Sequence, residues 1–130
     1  MIAMSGSNNA AARVRGLGSA KAGTHTWWTQ RLTAAALVLL VAWFAVSLIL
    51  NAQGNHAQVR AWIASPVSMV MLILTVLTGL WHAALGLVEV IEDYVHAEGT
   101  KLGLIVAVKF LAALLAVASV VAVFRIAFGG

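Results

Sequence analysis

The sequence predicts an all-α integral membrane protein with three transmembrane helices. Of its 130 residues, 62% are apolar and only 9% are charged, and the mean hydropathy is +0.98, whereas about a quarter of the residues in a soluble domain are charged. Three apolar runs, each near the roughly 20 residues that a helix needs to cross a bilayer, are separated by polar segments. A chain this small satisfies few polar groups alone in lipid, so we expect one subunit of a larger complex.

The residue types present exclude several kinds of site. The chain has no cysteine, so it supplies no disulfide, no iron–sulfur ligand and no thiol nucleophile. Its net charge of +4 comes from basic residues near the ends of the apolar runs rather than from one basic patch. We therefore attribute the positive charge to membrane topology and expect no nucleic-acid partner.

Residues 1–24 differ in composition from the rest of the chain. They are rich in Ala, Gly, Ser and Asn, contain no acidic residue, and have no apolar core of the kind that a secretory signal peptide requires. We expect a flexible cytoplasmic segment here, followed by a membrane anchor domain at residues 25–130.

The first helix is predicted at about residues 27–50. Tryptophan rings favour the headgroup level of a bilayer, and Trp27 and Trp28 beside Arg31 mark such a level. Arg31 then acts as an anchor whose guanidinium reaches back to the interface. The polar, turn-rich segment 51–56 ends the helix.

The second and third helices are predicted at about residues 62–91 and 102–128. The second begins around Trp62 or after Pro66, because proline suits a first helical turn and Ser65 can cap it.

A connecting loop is expected from Glu92 to Lys101, with Gly99 as the helix breaker. Lys109 lies within the third apolar run and departs from a plain lipid-facing helix. It can reach back to the interface, pair with a neighbouring subunit or contact a lipid phosphate.

His82 is an ionisable residue inside the second apolar run. No Asp, Glu, Lys or Arg lies between Arg60 and Glu89, so His82 sits roughly 10–15 Å below the interface that Glu89 and Glu92 mark. At that depth the imidazole must be neutral and hydrogen-bonded, and such residues are functional by default. It is either a histidine satisfied by a neighbouring carbonyl or an axial ligand of haem iron, with the second ligand supplied by another subunit.

Small and hydroxyl-bearing residues share the helical face of His82. Gly79 and Gly86 allow either ordinary helix packing or the close approach of a flat group. Thr75 and Thr78 can hydrogen-bond either the imidazole or their own backbone.

Asp93 and Tyr94 follow the second apolar run at the level of the headgroups. A tyrosine at this level is commonly an interfacial anchor. A phenol that donates to a carbonyl and a carboxylate that accepts protons also meet the two demands of quinone reduction.

Three segments carry a resemblance to a known family. They are Gln30-Arg31-Leu32-Thr33-Ala34 at the start of the first span, His82-Ala83-Ala84-Leu85-Gly86 late in the second, and Glu92-Asp93-Tyr94-Val95 just beyond it. Together they resemble the hydrophobic membrane anchor of bacterial-type succinate dehydrogenase. The resemblance covers about residues 20–128, and its most specific part is the histidine followed eleven and twelve residues later by Asp-Tyr.

The resemblance implies a role for each of these residues. His82 corresponds to an axial ligand of haem b, shared with a second membrane anchor of the cytochrome b556 type, and Arg31 lies near the haem propionates. Tyr94 corresponds to the tyrosine that hydrogen-bonds ubiquinone, with Asp93 beside it. The chain would anchor the flavoprotein and iron–sulfur subunits of this tricarboxylic acid cycle enzyme, complex II, in the bacterial inner membrane. FAD and the clusters then belong to the partners, because this chain has neither cysteine nor a dinucleotide-binding fingerprint.

A different class of protein also fits the residues. In a structural or assembly protein, His82 only packs against another helix, and in a transporter subunit His82 and Lys109 serve a proton path. A haem absorption band distinguishes the anchor from both.

The distribution of Lys and Arg predicts the orientation, because these residues favour the cytoplasmic side. Those on the amino-terminal side and in the loop after the second helix are Arg13, Arg15, Lys21, Arg31 and Lys101. The opposite side has Arg60 and Arg125. The amino terminus is therefore predicted to be cytoplasmic and the carboxyl terminus periplasmic.

Reporter fusions test this orientation. A reporter fused after Gly130 should be active in the periplasm, and one inserted near Gly99 should be active in the cytoplasm, because the Lys/Arg excess lies on the amino-terminal side. Alkaline phosphatase and fluorescent-protein fusions at both positions report the two compartments independently. The reverse pattern contradicts the predicted orientation.

Overall fold

The computed structural model describes residues 20–129, with side chains from Gly23 onward. This part of the chain consists of four α-helices and one π-helical turn. In order they are α1 (Ala20–Asn51), α2 (His56–Ala64), α3 (Pro66–Tyr94), α4 (Glu98–Phe124) and the π-helical turn Arg125–Gly129. Helices α1, α3 and α4 are long and apolar enough to cross a membrane. The predicted all-α architecture with three membrane-spanning helices is confirmed.

Helix α3 is the central element, because it packs along both α1 and α4. The register between α1 and α3 is antiparallel and is defined by three pairs of residues: Gln30–Gly86, Thr33–His82 and Leu37–Gly79. The first half of α1 therefore lies against the second half of α3. This register brings the beginning of the first span and the end of the second to the same end of the bundle.

The three long helices do not bury an apolar core of their own. Among the described side chains, no apolar one is buried, and the large side chains of Leu39, Leu50 and Phe110 are exposed. Lipid tails are as apolar as leucine, so such surfaces are stable against acyl chains or against another apolar helix. The bundle is therefore held by close packing and by a few polar contacts between helices.

The short helix α2 is absent from the elements predicted above, although a capping box indicates it. The side chain of Asn55 accepts a hydrogen bond from the backbone N–H of Gln58 at 2.9 Å, and the backbone N–H of Asn55 donates to Gln58 Oε1 at 3.0 Å. Arg60 donates a long hydrogen bond of 3.4 Å to the carbonyl of Ile126. Helix α2 is thereby tied to the π-helical turn at the end of the chain.

The second span begins at Pro66, the later of the two predicted starts. Trp62 instead belongs to α2, where its ring lies 6.5 Å from the ring of Trp43 in α1. Ser65 occupies the N-cap position of α3 as expected, but its hydroxyl donates to the carbonyl of Trp62 at 2.8 Å and caps no N–H of α3. Proline at the first position lowers the need for a cap, since it has no N–H to satisfy.

The loop predicted at residues 92–101 is longer than the observed one. Helix α3 continues to Tyr94 and α4 begins at Glu98, so residues 95–97 make the whole connection. An acidic residue is favoured in the first turn of a helix by the helix dipole, which suits Glu98 in that position. Gly99 lies in this first turn, and the prediction that it breaks the helix was wrong.

The start of the first predicted helix and the end of the third also differ from the structure. Helix α1 begins at Ala20 rather than at residue 27, so residues 20–24 of the segment expected to be flexible are helical, while residues 1–19 lie outside the described part of the chain. The last α-helix ends at Phe124 rather than at residue 128 and continues as the π-helical turn. Hydropathy marks where a helix leaves the lipid, whereas backbone hydrogen bonds continue the helix beyond that level.

The register of α1 against α3 can be tested by cross-linking, because the natural chain has no cysteine. A Leu37→Cys, Gly79→Cys double variant should form a disulfide on mild oxidation, since a Cβ at Gly79 would lie 3.8 Å from the Leu37 side chain. Cleavage at a protease site inserted after Gly54 cuts the chain between α1 and α3. The two fragments then stay joined on a non-reducing gel only if the disulfide has formed. Leu37→Cys with Gly103→Cys is the matched control, since a Cβ at Gly103 meets nothing within 4 Å. Equal cross-linking in both variants contradicts the register.

Candidate functional site in the amino-terminal half of the bundle

The intramembrane imidazole of His82 has its hydrogen-bond partner on another helix. His82 projects from α3 toward α1, where Thr33 Oγ1 lies 2.9 Å from His82 Nδ1. Thr33 Oγ1 also lies 2.8 Å from the carbonyl oxygen of Thr29 and 3.1 Å from that of Gln30. The imidazole and the hydroxyl are both partly buried, so this bond joins the two helices within the apolar layer.

The residues expected beside His82 on its own helix have different contacts. The hydroxyl of Thr75 donates to the carbonyl of Met71 at 2.6 Å. Thr75 therefore bonds the backbone of its own helix rather than the imidazole of His82. Gly79 and Gly86 both face α1, where a Cβ on either would meet an α1 side chain at 3.8 Å. The two glycines therefore take part in ordinary helix packing, and this packing brings Thr33 close to His82.

A cavity of about 770 Å³ opens beside His82. It is lined by Gly23, Thr26, Trp27, Gln30, Arg31, Ala34, His82, Glu89 and Glu92. His82 and Arg31, which the family resemblance assigns to the same haem, thus line one cavity. Glu89 and Glu92 carry carboxylates and Arg31 carries a guanidinium, so groups of both charge signs line the cavity.

Trp27 positions Arg31. The Arg31 guanidinium carbon lies 5.3 Å from the centroid of the Trp27 ring, within the range of a cation–π contact. The ring of Trp28 meets that of Trp27 edge to face, with centroids 5.1 Å apart. The sequence predicts only an interfacial role for this tryptophan pair. The structure adds a second role, which is to support the Arg31 side chain.

Gln30 presents a polar group that the described side chains leave unsatisfied. Its Oε1 is buried and has no hydrogen-bond partner within residues 23–129, while a Cβ at Gly86 would lie 3.8 Å from its Nε2. A buried amide without a partner costs about 1–3 kcal/mol, and Gln30 lines the cavity beside His82. The cavity wall therefore includes an amide whose oxygen can accept a further hydrogen bond.

Asp93 and Tyr94 lie at the same end of the bundle but outside this cavity. They form the end of α3, and both side chains are exposed, Tyr94 to 78%. Tyr94 follows His82 by twelve positions on the same helix, which corresponds to about 18 Å along the axis. The four predicted site residues therefore form two groups, His82 with Arg31 at the cavity and Asp93 with Tyr94 at the end of α3.

Within the described residues, no group of three or more His, Cys, Asp or Glu side chains is arranged to hold a metal ion. His82 is therefore not part of a multi-residue metal site within that part of the chain. Lys109 is exposed on α4 and does not line the cavity.

The fold and the site define a class of protein: a three-span helical membrane subunit with an intramembrane histidine beside an open, partly charged cavity. Residues 5–121 match the family described as succinate dehydrogenase/fumarate reductase transmembrane subunit. The chain belongs to this family and is a multi-pass membrane protein.

Curated relatives agree with this assignment. The chain is 38% identical over 113 residues to the succinate dehydrogenase hydrophobic membrane anchor subunit of Rickettsia bellii, covering 86% of this chain and 90% of that protein. It is 36% identical over 107 residues to the protein of that name from Rickettsia typhi, covering 82% and 85%. It is 31% identical over 114 residues to the one from Paracoccus denitrificans, covering 88% of each.

Proposed function

We propose that this chain is the membrane-anchor subunit of a bacterial succinate:ubiquinone oxidoreductase. In that complex it anchors the iron–sulfur and flavoprotein subunits, shares haem b with a second anchor subunit, and forms part of the ubiquinone site. The observation that carries the proposal is the imidazole of His82, held by Thr33 and facing a cavity that Arg31 also lines, in a chain of the succinate dehydrogenase family.

His82 is the residue that would hold the haem iron. A neutral imidazole in an apolar layer retains a nitrogen lone pair for iron, and its other nitrogen is already hydrogen-bonded, as is usual for a metal-bound histidine. Haem b supplies a one-electron centre within the membrane when it is bound. The partly open cavity is consistent with a site that a second subunit completes.

Arg31 is the proposed partner of the haem carboxylates. Arg31 is exposed and its guanidinium lies over the Trp27 ring, so the position of the group is restricted while the residue stays accessible to an anion. Arginine binds carboxylates through two parallel hydrogen bonds. The buried amide of Gln30 offers a further polar contact to a group in the same cavity.

Tyr94 and Asp93 are proposed to contact ubiquinone. The Tyr94 hydroxyl is exposed at the end of α3, where an amphiphilic headgroup enters from the bilayer. The phenol donates a hydrogen bond to a quinone carbonyl, and the adjacent carboxylate passes protons between water and the bound quinone. This placement suits electrons arriving from iron–sulfur and flavin subunits bound on the cytoplasmic side of the inner membrane.

Replacement of His82 tests the haem assignment. In the assembled complex, His82→Leu should abolish or alter the low-spin haem spectrum, because leucine has no ligating atom and leaves the span apolar enough to insert. His56→Leu, which changes an exposed histidine in α2 at the other end of the bundle, should leave the spectrum unchanged. A wild-type haem spectrum in His82→Leu excludes His82 as the ligand.

Tyr94→Phe tests the quinone contact separately. The variant keeps the ring and removes the hydroxyl, so succinate:quinone turnover should fall about ten-fold to a hundred-fold, the effect of losing a hydrogen bond of about 1–3 kcal/mol to a polar ligand. Succinate oxidation by an artificial acceptor that takes electrons before the quinone site should remain normal, which shows that the extrinsic subunits are attached. Wild-type quinone turnover and inhibitor sensitivity would leave Tyr94 only the role of an interfacial anchor.

A further inference from the structure

We infer that Thr33 is a positioning residue that sets the tautomer of His82, so that Nδ1 carries the proton and Nε2 presents its lone pair to the cavity. This inference rests on the proposed ligation of haem iron by His82. It goes beyond that proposal, because it assigns the ligating atom and gives a role to a residue on a different helix.

The hydrogen-bond geometry around Thr33 carries the assignment. A threonine hydroxyl has one proton to donate and two lone pairs to accept with. Thr33 Oγ1 lies 2.8 Å from the carbonyl oxygen of Thr29 and 3.1 Å from that of Gln30, and a carbonyl oxygen only accepts. The hydroxyl proton therefore belongs between Oγ1 and these carbonyls, since two oxygens at 2.8 Å without a proton between them repel each other.

The donor and the acceptor in the hydrogen bond between Thr33 and His82 are then determined. Because the hydroxyl proton is used toward the backbone, Oγ1 can only accept from His82 Nδ1 at 2.9 Å. Nδ1 must carry the ring proton, and Nε2 of a neutral imidazole is left without one. The tautomer is fixed within the isolated chain, before any ligand or second subunit is present.

The same bond has an electronic consequence. An imidazole whose N–H donates to an oxygen is a stronger donor to iron, which favours the oxidised state and lowers the reduction potential. Thr33 thus both orients the ring and tunes the iron. Loss of the hydroxyl leaves the Nδ1–H without its acceptor in an apolar environment.

The test compares three variants of the whole complex. Thr33→Val keeps the shape and removes the acceptor, Thr33→Ser keeps the hydroxyl, and Thr75→Val removes a hydroxyl that donates to the Met71 carbonyl on α3. We expect Thr33→Val to raise the haem midpoint potential, to change the electron paramagnetic resonance spectrum of the low-spin iron, and to retain haem about 10-fold to 100-fold more weakly. Thr33→Ser and Thr75→Val should match the wild type in all three measurements.

The outcomes separate this inference from the proposed function. A Thr33→Val complex with wild-type potential, spectrum and haem retention overturns the role of Thr33, while the His82→Leu result still decides ligation. A shift of equal size in Thr33→Ser or Thr75→Val also overturns it, because a general packing effect then accounts for the change.

A measurement on the wild-type complex covers the case in which Thr33→Val does not assemble. A high-resolution cryo-electron microscopy map shows which ring nitrogen faces the iron. Iron on Nε2, with Thr33 Oγ1 within hydrogen-bond distance of Nδ1, supports the inference, whereas iron on Nδ1 or a ring turned away from Thr33 overturns it.

Discussion

One constraint organises this chain: an imidazole in an apolar layer must be neutral and must have a hydrogen-bond partner. In an apolar layer, an unsatisfied ring nitrogen costs about as much as a lost hydrogen bond in a protein interior. The partner of His82 comes from α1 through Thr33. This contact requires α1 and α3 to pack against each other, and Gly79 and Gly86 lie on the face of α3 that packs against Leu37 and Gln30 of α1.

The membrane spans could be predicted from the sequence because the relevant physical quantity is local. A run of about 20 apolar residues specifies a transmembrane helix wherever it occurs, and α1, α3 and α4 follow the three runs. The helix ends could not be predicted as well, since polar residues such as Thr24–Thr26 leave the lipid without leaving the helix. Helix α2 was signalled by Asn55 and Gln58, but a capping box is weak evidence beside a strong hydropathy pattern.

The functional site, like the fold, could be predicted from the sequence only in part. The family resemblance assigns His82 and Arg31 to one haem site, and the structure brings the two residues to one cavity. Thr33 could not be identified as the partner, because that requires the register between two helices, which a helical period on α3 alone does not supply. The unsatisfied amide of Gln30 could not be identified from the sequence for the same reason, since its burial depends on the approach of α3 near Gly86.

The continuity of helix α3 has a mechanical consequence. Since α3 runs without interruption from Pro66 to Tyr94, the separation and relative rotation of His82 and Tyr94 are set by helix geometry and not by a loop. Insertion or deletion of one residue between them would turn the phenol by about 100° around the axis and move it by about 1.5 Å. The helix therefore acts as a fixed spacer, and the number of residues between the two side chains is as much a part of the site as their chemistry.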